Sequence, residues 1–335
     1  MSLKKQLELI SGLKNKDAYP HKVLNITIEE THISWVLLTG LFAYKIKKEL
    51  KFGDILDFST LALRKKFCQT EIDINKFLCS DMYVEVVKVV KLKGGIKIAS
   101  LKSRERALEY AVKMKQIPQE YRLDKLLLSG KVTPIIIEKL TSKLVRFHRF
   151  TPTNNRIQRF GRPEFMKGKV EENFAMLSKL KKIDAKLENK LKSFINNNDK
   201  LFLQRIKEGR IRDIHGDLYL KNVFIVGSRY YLYDRIEFNN ALRYADVAED
   251  VAHFAMDLDF HKQGRLSKHF ISEYKAQSKD TSLVDIVYFM MCYKACVRAK
   301  VSLFRAKAMA NDAKTLQVEE GISHLKLAEH YLELF

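Results

Sequence analysis

The chain has 335 residues, 46% of them hydrophobic and 30% charged, a globular composition with room for two domains or two lobes of one. Thirteen glycines and five prolines exclude a collagen-like or low-complexity linker protein. Sixty-one Lys and Arg against forty Asp and Glu leave a net charge of +21, which suits an anionic partner (nucleotide, nucleic acid or acidic membrane) and equally serves as a solvated lysine-rich surface.

The first third reads as strands around one helix. Val23–Glu29, Trp35–Leu38 and Leu41–Lys47 are apolar or β-branched runs, the last two split by the turn signal Thr39-Gly40, and they predict an antiparallel meander. Asp57 to Thr60 offer cap side chains for a helix running to about Leu78, with Leu63, Phe67, Glu71 and Ile74 at helical spacing. Tyr83–Val90, turned by Gly94-Gly95 into Ile96–Ser100, and then Glu109–Met114, complete about five strands. The remainder reads as mostly helical: Leu123–Leu128, Thr133–Phe150, a long lysine-faced amphipathic run from Lys167 to Ile195, Asp246–Asp259 and Leu283–Ala310. Only residues 211–234 break the pattern, with short apolar strands flanking HGDLYLKN.

The four cysteines contain no C-x-x-C pair, and Cys292 and Cys296 are spaced as neighbours on one helix; this argues against a disulfide framework or structural zinc and for a reducing compartment. No segment reaches the 18–20 apolar residues of a membrane span, and the first twenty residues lack a signal-peptide core, so a cytoplasmic location is expected.

The sharpest local feature is His215-Gly216-Asp217-Leu218-Tyr219-Leu220-Lys221-Asn222, just before the apolar strand Val223–Ile225. A second carboxylate, Asp234, ends the returning run Tyr230–Tyr233. On a hairpin, Asp217, Asn222 and Asp234 can converge. Phosphoryl transfer asks for such a set: a carboxylate to take the proton of an attacking hydroxyl, and two oxygen donors for the Mg²⁺ that bridges nucleotide phosphates. A tight turn capped by Asp217 and Asn222 is the structural alternative. The first third supplies an independent feature. Strand alternation puts Ala43 and Lys45 on one face in an A-x-K pattern, and Glu71 sits mid-helix 26 residues on, as a partner for a phosphate-binding lysine. Lys47 shares that face nearer the strand end and ranks second.

HGDL-x-x-x-N, with ETHISWVLLTGLFAYKIKK, LDFSTLALRKKFCQTEIDIN, EYAVKMKQIP and IEFNNALRYADVAEDVAHFAMDLD, resembles the aminoglycoside phosphotransferase family, in family order over about residues 20–260. The match is closest to a subfamily sometimes fused to a P-loop kinase domain. The resemblance implies an α+β, protein-kinase-like bilobal fold: a small β-rich N-lobe over 1–115 and a larger, mostly helical C-lobe over 116–335. It implies Mg²⁺-assisted transfer of phosphate from ATP or GTP to a hydroxyl of a small-molecule acceptor. Carried over, Lys45 resembles the nucleotide-phosphate lysine and Glu71 its partner. Asp217 resembles the catalytic base, and Asn222 and Asp234 the metal ligands. The strand ending at Lys113 and Met114 resembles the one whose connector binds the nucleobase. Asp246-Val247-Ala248 resembles the family's D-L-A step, and Asp246 reads as a helix N-cap.

The chain departs from kinases in having no G-x-G-x-x-G loop. Thr31-His32-Ile33-Ser34 stands in that place, with the hydroxyls of Thr31 and Ser34 and nearby backbone N–H groups to offer phosphate. Asp234 is followed by Arg235-Ile236-Glu237 rather than Phe-Gly, an Asp-x-x-Glu pattern that fits small-molecule kinases better than protein kinases. No G-x-x-x-x-G-K-[ST] is present, so a P-loop partner is not expected within this chain. Arg298, Lys300 and Arg305 with Tyr288, Phe289 and Tyr293 would line an acceptor site suited to an acidic or phosphorylated molecule, or else form an ordinary amphipathic helix. His148 and His253 read as packed histidines. A protein kinase, a nucleotide-binding pseudoenzyme and a nucleic-acid-binding protein stand as alternatives, the last without a recognisable motif.

Overall fold

The computed structural model describes residues 3–181, 183–307 and 309–335, which divide into two compact units. One takes in residues 1–121 and 231–240, and the other 122–230 and 241–335.

The first unit opens with α1 (Leu3–Gly12). Six strands follow as one antiparallel sheet: β1 (Thr27–Glu30), β2 (Ser34–Leu38), β3 (Phe42–Lys47), and, after a small hairpin of β4 (Lys51–Phe52) with β5 (Leu56–Asp57) and the helix α2 (Leu61–Asn75), β6 (Tyr83–Leu92), β7 (Gly95–Ser100) and β8 (Glu109–Lys115). Their order is β1-β2-β3-β8-β6-β7, so β8 returns to lie between β3 and β6. Alternation along each strand sorts the two faces. Trp35, Leu37, Tyr44, Ile46, Val87, Val89, Ile98 and Ala111 pack on one side against Ile10, Leu13, Tyr19 and Val23. Gly12 closes that contact, since a Cβ there would lie 2.6 Å from the Ile96 side chain. Ala43, Lys45 and Lys47, at the alternate positions of β3, face α2 instead. Thr60 caps α2 through its hydroxyl, which accepts from Leu63 N at 3.2 Å.

The helix α1 has no counterpart in the sequence-based expectations, and neither does the β4–β5 hairpin. Gln6 of α1 explains part of why the helix docks: its amide donates to Lys47 O at 3.1 Å and Glu109 Oε2 at 2.8 Å and accepts from Glu49 N at 2.7 Å.

The second unit holds α3 (Leu123–Leu128), α4 (Pro134–Phe150), α5 (Asn155–Gln158), α6 (Pro163–Ser178), α7 (Ala185–Asn197), α8 (Asp199–Lys207), β9 (Ile211–Asp213), β10 (Val223–Val226), β11 (Arg229–Leu232), α9 (Asn240–Arg243), β12 (Tyr244–Asp246), α10 (Ala248–Phe260), α11 (Gly264–Ser278), α12 (Val287–Lys307) and α13 (Asn311–Tyr331). Strand β10 pairs with β11, within which the chain passes into the first unit at Tyr231, to return after Asn240; β12 pairs antiparallel with β9. The amphipathic run over 167–195 is two helices rather than one. α6 ends where Leu180 N and Lys181 N both turn back onto Leu177 O, and Asp184 caps α7 by accepting from Lys186 N at 2.9 Å. Helix α10 is buried on every side from Ala248 to Leu258, yet carries Glu249, Asp250, His253 and Asp257. All four cysteines are buried and free. No described helix is long and apolar enough to cross a membrane.

Candidate active site

In the first unit, strand parity delivers Lys45 and Lys47 to the same face, and α2 presents Glu71 between them. Lys45 Nζ lies 2.9 Å from Glu71 Oε1 and 2.5 Å from Asp234 Oδ1; Lys47 Nζ lies 2.6 Å from Glu71 Oε2 and pairs with Glu237. Both carboxylate oxygens of Glu71 are thus engaged by ammonium groups. Burial alone would raise the Glu71 pKa, but Lys45 and Lys47 overcome it and hold the group ionised below its ordinary range. Burial likewise opposes the charge on Lys45, and Asp234, Glu71 and Glu237 reverse the sign, leaving its pKa well above 10.5. Lys47 is fully buried and sits 5.0 Å from the Phe58 ring centroid, a cation–π contact that shields one side of the pair.

Asp234 is the least buried member, with 39% of its side chain exposed. Its backbone is left-handed at φ 65°, a conformation that costs energy in a non-glycine residue and persists only when its surroundings enforce it. They do so here. Asp234 N donates to Tyr83 Oη at 3.1 Å, Arg235 N to Asn75 Oδ1 at 3.0 Å, and Arg235 Nη1 to Ile74 O at 2.8 Å. The same segment is held further by Tyr231, whose hydroxyl donates to Asp81 at 3.0 Å.

Thr31 and Ser34 are spent largely on each other. Thr31 Oγ1 accepts from Ser34 N at 2.9 Å, and Thr31 N donates to Ser34 O at 2.9 Å, closing a tight β1–β2 turn. The Ser34 hydroxyl is buried without a hydrogen-bond partner among the described residues. Lys113 pairs with Glu85 at 3.2 Å and lies over the Phe42 ring, and Met114 is buried between β3 and β6.

In the second unit, the HGD loop runs from β9 towards β10 over the buried helix α10. Gly216 has φ 88°, a turn that a side chain would strain. Asp250 clamps it: Oδ2 accepts from His215 N at 2.7 Å and Oδ1 from Gly216 N at 2.9 Å. His148 Nε2 also donates to Asp250 Oδ2 at 3.0 Å. Its other ring nitrogen, Nδ1, is hydrogen-bonded to the Tyr274 hydroxyl at 2.7 Å. Seven residues on, Asp257 accepts from Leu220 N at 2.8 Å. Asn222 Nδ2 donates to Asp217 O at 2.9 Å and lies 3.4 Å from Asp217 Oδ2, leaving the amide oxygen without a hydrogen bond among the described residues. Asp217 Oδ1 is 3.8 Å from His253 Nδ1. Burial and the nearby Lys294 and Arg298 keep that imidazole neutral, its pKa well below 6.5.

Asp246 lies one position before the N-cap of α10, which is Val247 rather than Asp246 as expected; its Oδ1 still accepts from Ala248 N at 2.8 Å, and both oxygens are also held by Arg205. Asp250 and Asp257 have no role in the sequence reading, which also does not foresee that Lys47 pairs with Glu237 or that His148, read as a packed histidine, joins Asp250. For Asp250 and Asp257 the available signal is a pair of carboxylates seven residues apart, on one face of an otherwise apolar helix. No cluster of three or more metal-ligating side chains occurs among the described residues.

No family model matches the chain. Uncharacterised proteins of Mycobacterium tuberculosis and Mycobacterium bovis are 30% identical to it over 314 residues, covering 92% of this chain and 60% of theirs, so the chain spans about three-fifths of those relatives. Among solved structures, a choline kinase from Cryptosporidium parvum superposes with a TM-score of 0.54 at 13% identity, over 98% of this chain and 94% of that one. An aminoglycoside 2'-phosphotransferase in its GDP complex gives 0.51 at 12%, over 98% of both. A Plasmodium vivax ethanolamine kinase gives 0.51 at 13%, over 91% and 82%. With its antiparallel sheet unit and helical unit, the chain has the aminoglycoside phosphotransferase-like form of the protein-kinase-like fold.

Proposed function

We propose that the chain is a small-molecule phosphotransferase that moves the γ-phosphoryl group of ATP or GTP to an acceptor hydroxyl. The observation that carries this reading is the Lys45–Glu71–Asp234 constellation, an ammonium group fixed between a buried helical carboxylate and a half-exposed one. The Lys45 ammonium binds nucleotide phosphate and Glu71 holds it in place. Residues at the end of β8, around Lys113 and Met114, border the nucleobase, and the Thr31–Ser34 turn borders the phosphates.

Asn222 and Asp234 are oxygen donors of the hard type that Mg²⁺ prefers, and the unengaged amide oxygen of Asn222 and the exposed carboxylate of Asp234 fit that role. Bound there with nucleotide, the ion would neutralise charge on the phosphates. Asp217 orients the acceptor hydroxyl and takes its proton as the acceptor oxygen bonds to the γ-phosphorus and the β–γ bridging oxygen leaves with the bond pair. Asp250 serves this step at one remove by fixing the loop backbone.

The test is a paired measurement on wild type and Asp217→Asn. Nucleotide affinity is expected to stay within about twofold while single-turnover transfer falls about 10²–10⁴-fold. Equal rates would overturn the assignment of Asp217. A parallel loss of nucleotide affinity would make it a structural or metal-binding residue instead.

A further inference from the structure

Three arginines are almost wholly buried in the second unit, Arg205, Arg243 and Arg298. Arg243 pairs with Asp213, and the other two differ in what they do with their donors. Arg205 is saturated: Nε and Nη2 donate to Asp246, Nη1 and Nη2 to Asp280, and Nη1 to Ser282. Arg298, on α12, is 6% exposed and makes no hydrogen bond among the described residues; its Nε is buried and unpartnered. Its nearest carboxylate contact is Glu320, at 3.5 Å from Nη2. A buried guanidinium with idle donors is costly, and in a folded protein such donors wait for water or a ligand.

The surroundings place those donors beside the reacting loop. The Arg298 guanidinium lies over the Tyr219 ring at 4.7 Å. Tyr219 stacks on His253 at 5.5 Å and 10°, and His253 Nδ1 is 3.8 Å from Asp217 Oδ1. Both His253 nitrogens are also buried without a hydrogen-bond partner among the described residues. One turn before Arg298, Lys294 is held at 3.0 Å by Glu249, which also binds Lys169 at 2.6 Å, so that carboxylate is already shared by two ammonium groups. Burial opposes the charge on Arg298, and Tyr219, followed by Asp217, Asp257 and Glu320, outweighs it and keeps the group charged. Of these, Asp257 is committed to Leu220 N.

We propose that Arg298 is the anchor for an anionic group on the acceptor, a carboxylate or a phosphate, so that the substrate class is an acidic alcohol whose hydroxyl meets Asp217. This rests on the phosphotransferase reading above. A planar guanidinium matches both oxyanions bidentately, and its position disfavours an ammonium-bearing alcohol through like-charge repulsion.

The test uses the full chain with Mg·ATP and Mg·GTP and three groups of probes: glycerate, gluconate and glycerol phosphate; glycerol and glucose; choline and glucosamine. Product is followed by mass spectrometry, and probe binding by calorimetry in the Asp217→Asn background. Acidic probes are expected to react at the lowest KM, the carboxylate and phosphate members showing which oxyanion is taken. Arg298→Met should raise that KM about a hundredfold with kcat within about threefold. Arg298→Lys should recover part of the loss, and the melting temperature of both variants should match wild type. Preference for neutral or cationic probes, an equal loss on every acceptor, or acidic probes that neither bind nor react would overturn the proposal. Acidic probes that bind through Arg298 but never accept phosphate would uphold the anion site and remove the phosphotransferase reading. A neutral alcohol phosphorylated with Arg298 indifferent would do the reverse.

Discussion

Lys45 and Lys47 differ by two positions on one strand and are expected to differ sharply in consequence. Lys47 is sealed, and removing it leaves Glu71 half-compensated and Glu237 bare in a buried setting. Lys47→Met should therefore cost about 3–5 kcal/mol of stability. Lys45 has a partner in Asp234 that reaches water, so Lys45→Met should cost less stability while weakening nucleotide binding about tenfold or more. Urea unfolding alongside nucleotide titration separates the two; equal stability losses would mean that solvent compensates neither cluster. The histidines of the second unit set a pH limit. Burial holds His253 neutral, with Lys294, Arg298, His215 and His324 adding to the effect and Asp217 and Tyr219 facing the ring; burial also lowers His324 to about 4. A folded pKa below the unfolded value of about 6.5 means the unfolded chain takes up the proton first, so stability is intact above pH 6.5 and is lost as pH falls below it. Each histidine contributes up to about 1.4 kcal/mol per pH unit. Melting temperature should fall between pH 7 and pH 5, and His253→Phe with His324→Phe should flatten that slope.

At the scale of elements, α10 is the platform on which the HGD loop is built, and its polar residues are the ones an apolar core helix would omit. Asp250→Ala strips acceptors from two loop N–H groups and from His148. Unsatisfied buried donors cost about 1–3 kcal/mol each, so the variant should melt several degrees lower. It should also lose transfer rate with nucleotide affinity retained, because the clamp lies on the loop rather than at Lys45. A variant with full turnover would show that Gly216 and the β9–β12 pairing hold the loop unaided. The reading of elements from sequence worked where periodicity and turn residues agreed: β2, β3, α2 and the β6–β7 hairpin lie close to their expected spans, and strand parity put Lys45 on the face that α2 covers. It failed where the deciding interaction is tertiary. The docking of α1 depends on Gln6 reaching Glu109 and Lys47, far away in sequence, and the α6–α7 break carries neither glycine nor proline. Nor does any local signal mark 231–240 as folding with the first unit, since what retains it there are Lys45, Lys47, Asn75 and Tyr83.

For the molecule as a whole, a charge of +21 is a field as well as a composition. Polyanions approaching such a surface are steered, and the steering is screened over about 10 Å at 0.1 M salt. Nucleotide association should slow about tenfold as salt rises from about 0.05 to about 0.5 M, with dissociation nearly unchanged. Stopped-flow measurement of both rates decides this; an association rate indifferent to salt would mean that the lysines only solvate the surface.

The way α2 is fastened limits how activity can be governed. Near its start Arg64 grips Glu109 with Nε at 2.9–3.0 Å, at its middle Glu71 is gripped from two lysines, and at its end Asn75 receives Arg235 N. In protein kinases the corresponding helix swings outward to switch the enzyme off, breaking a single lysine–glutamate pair. Here a swing would have to break five buried polar contacts together. The helix is thus a fixed part rather than a lever.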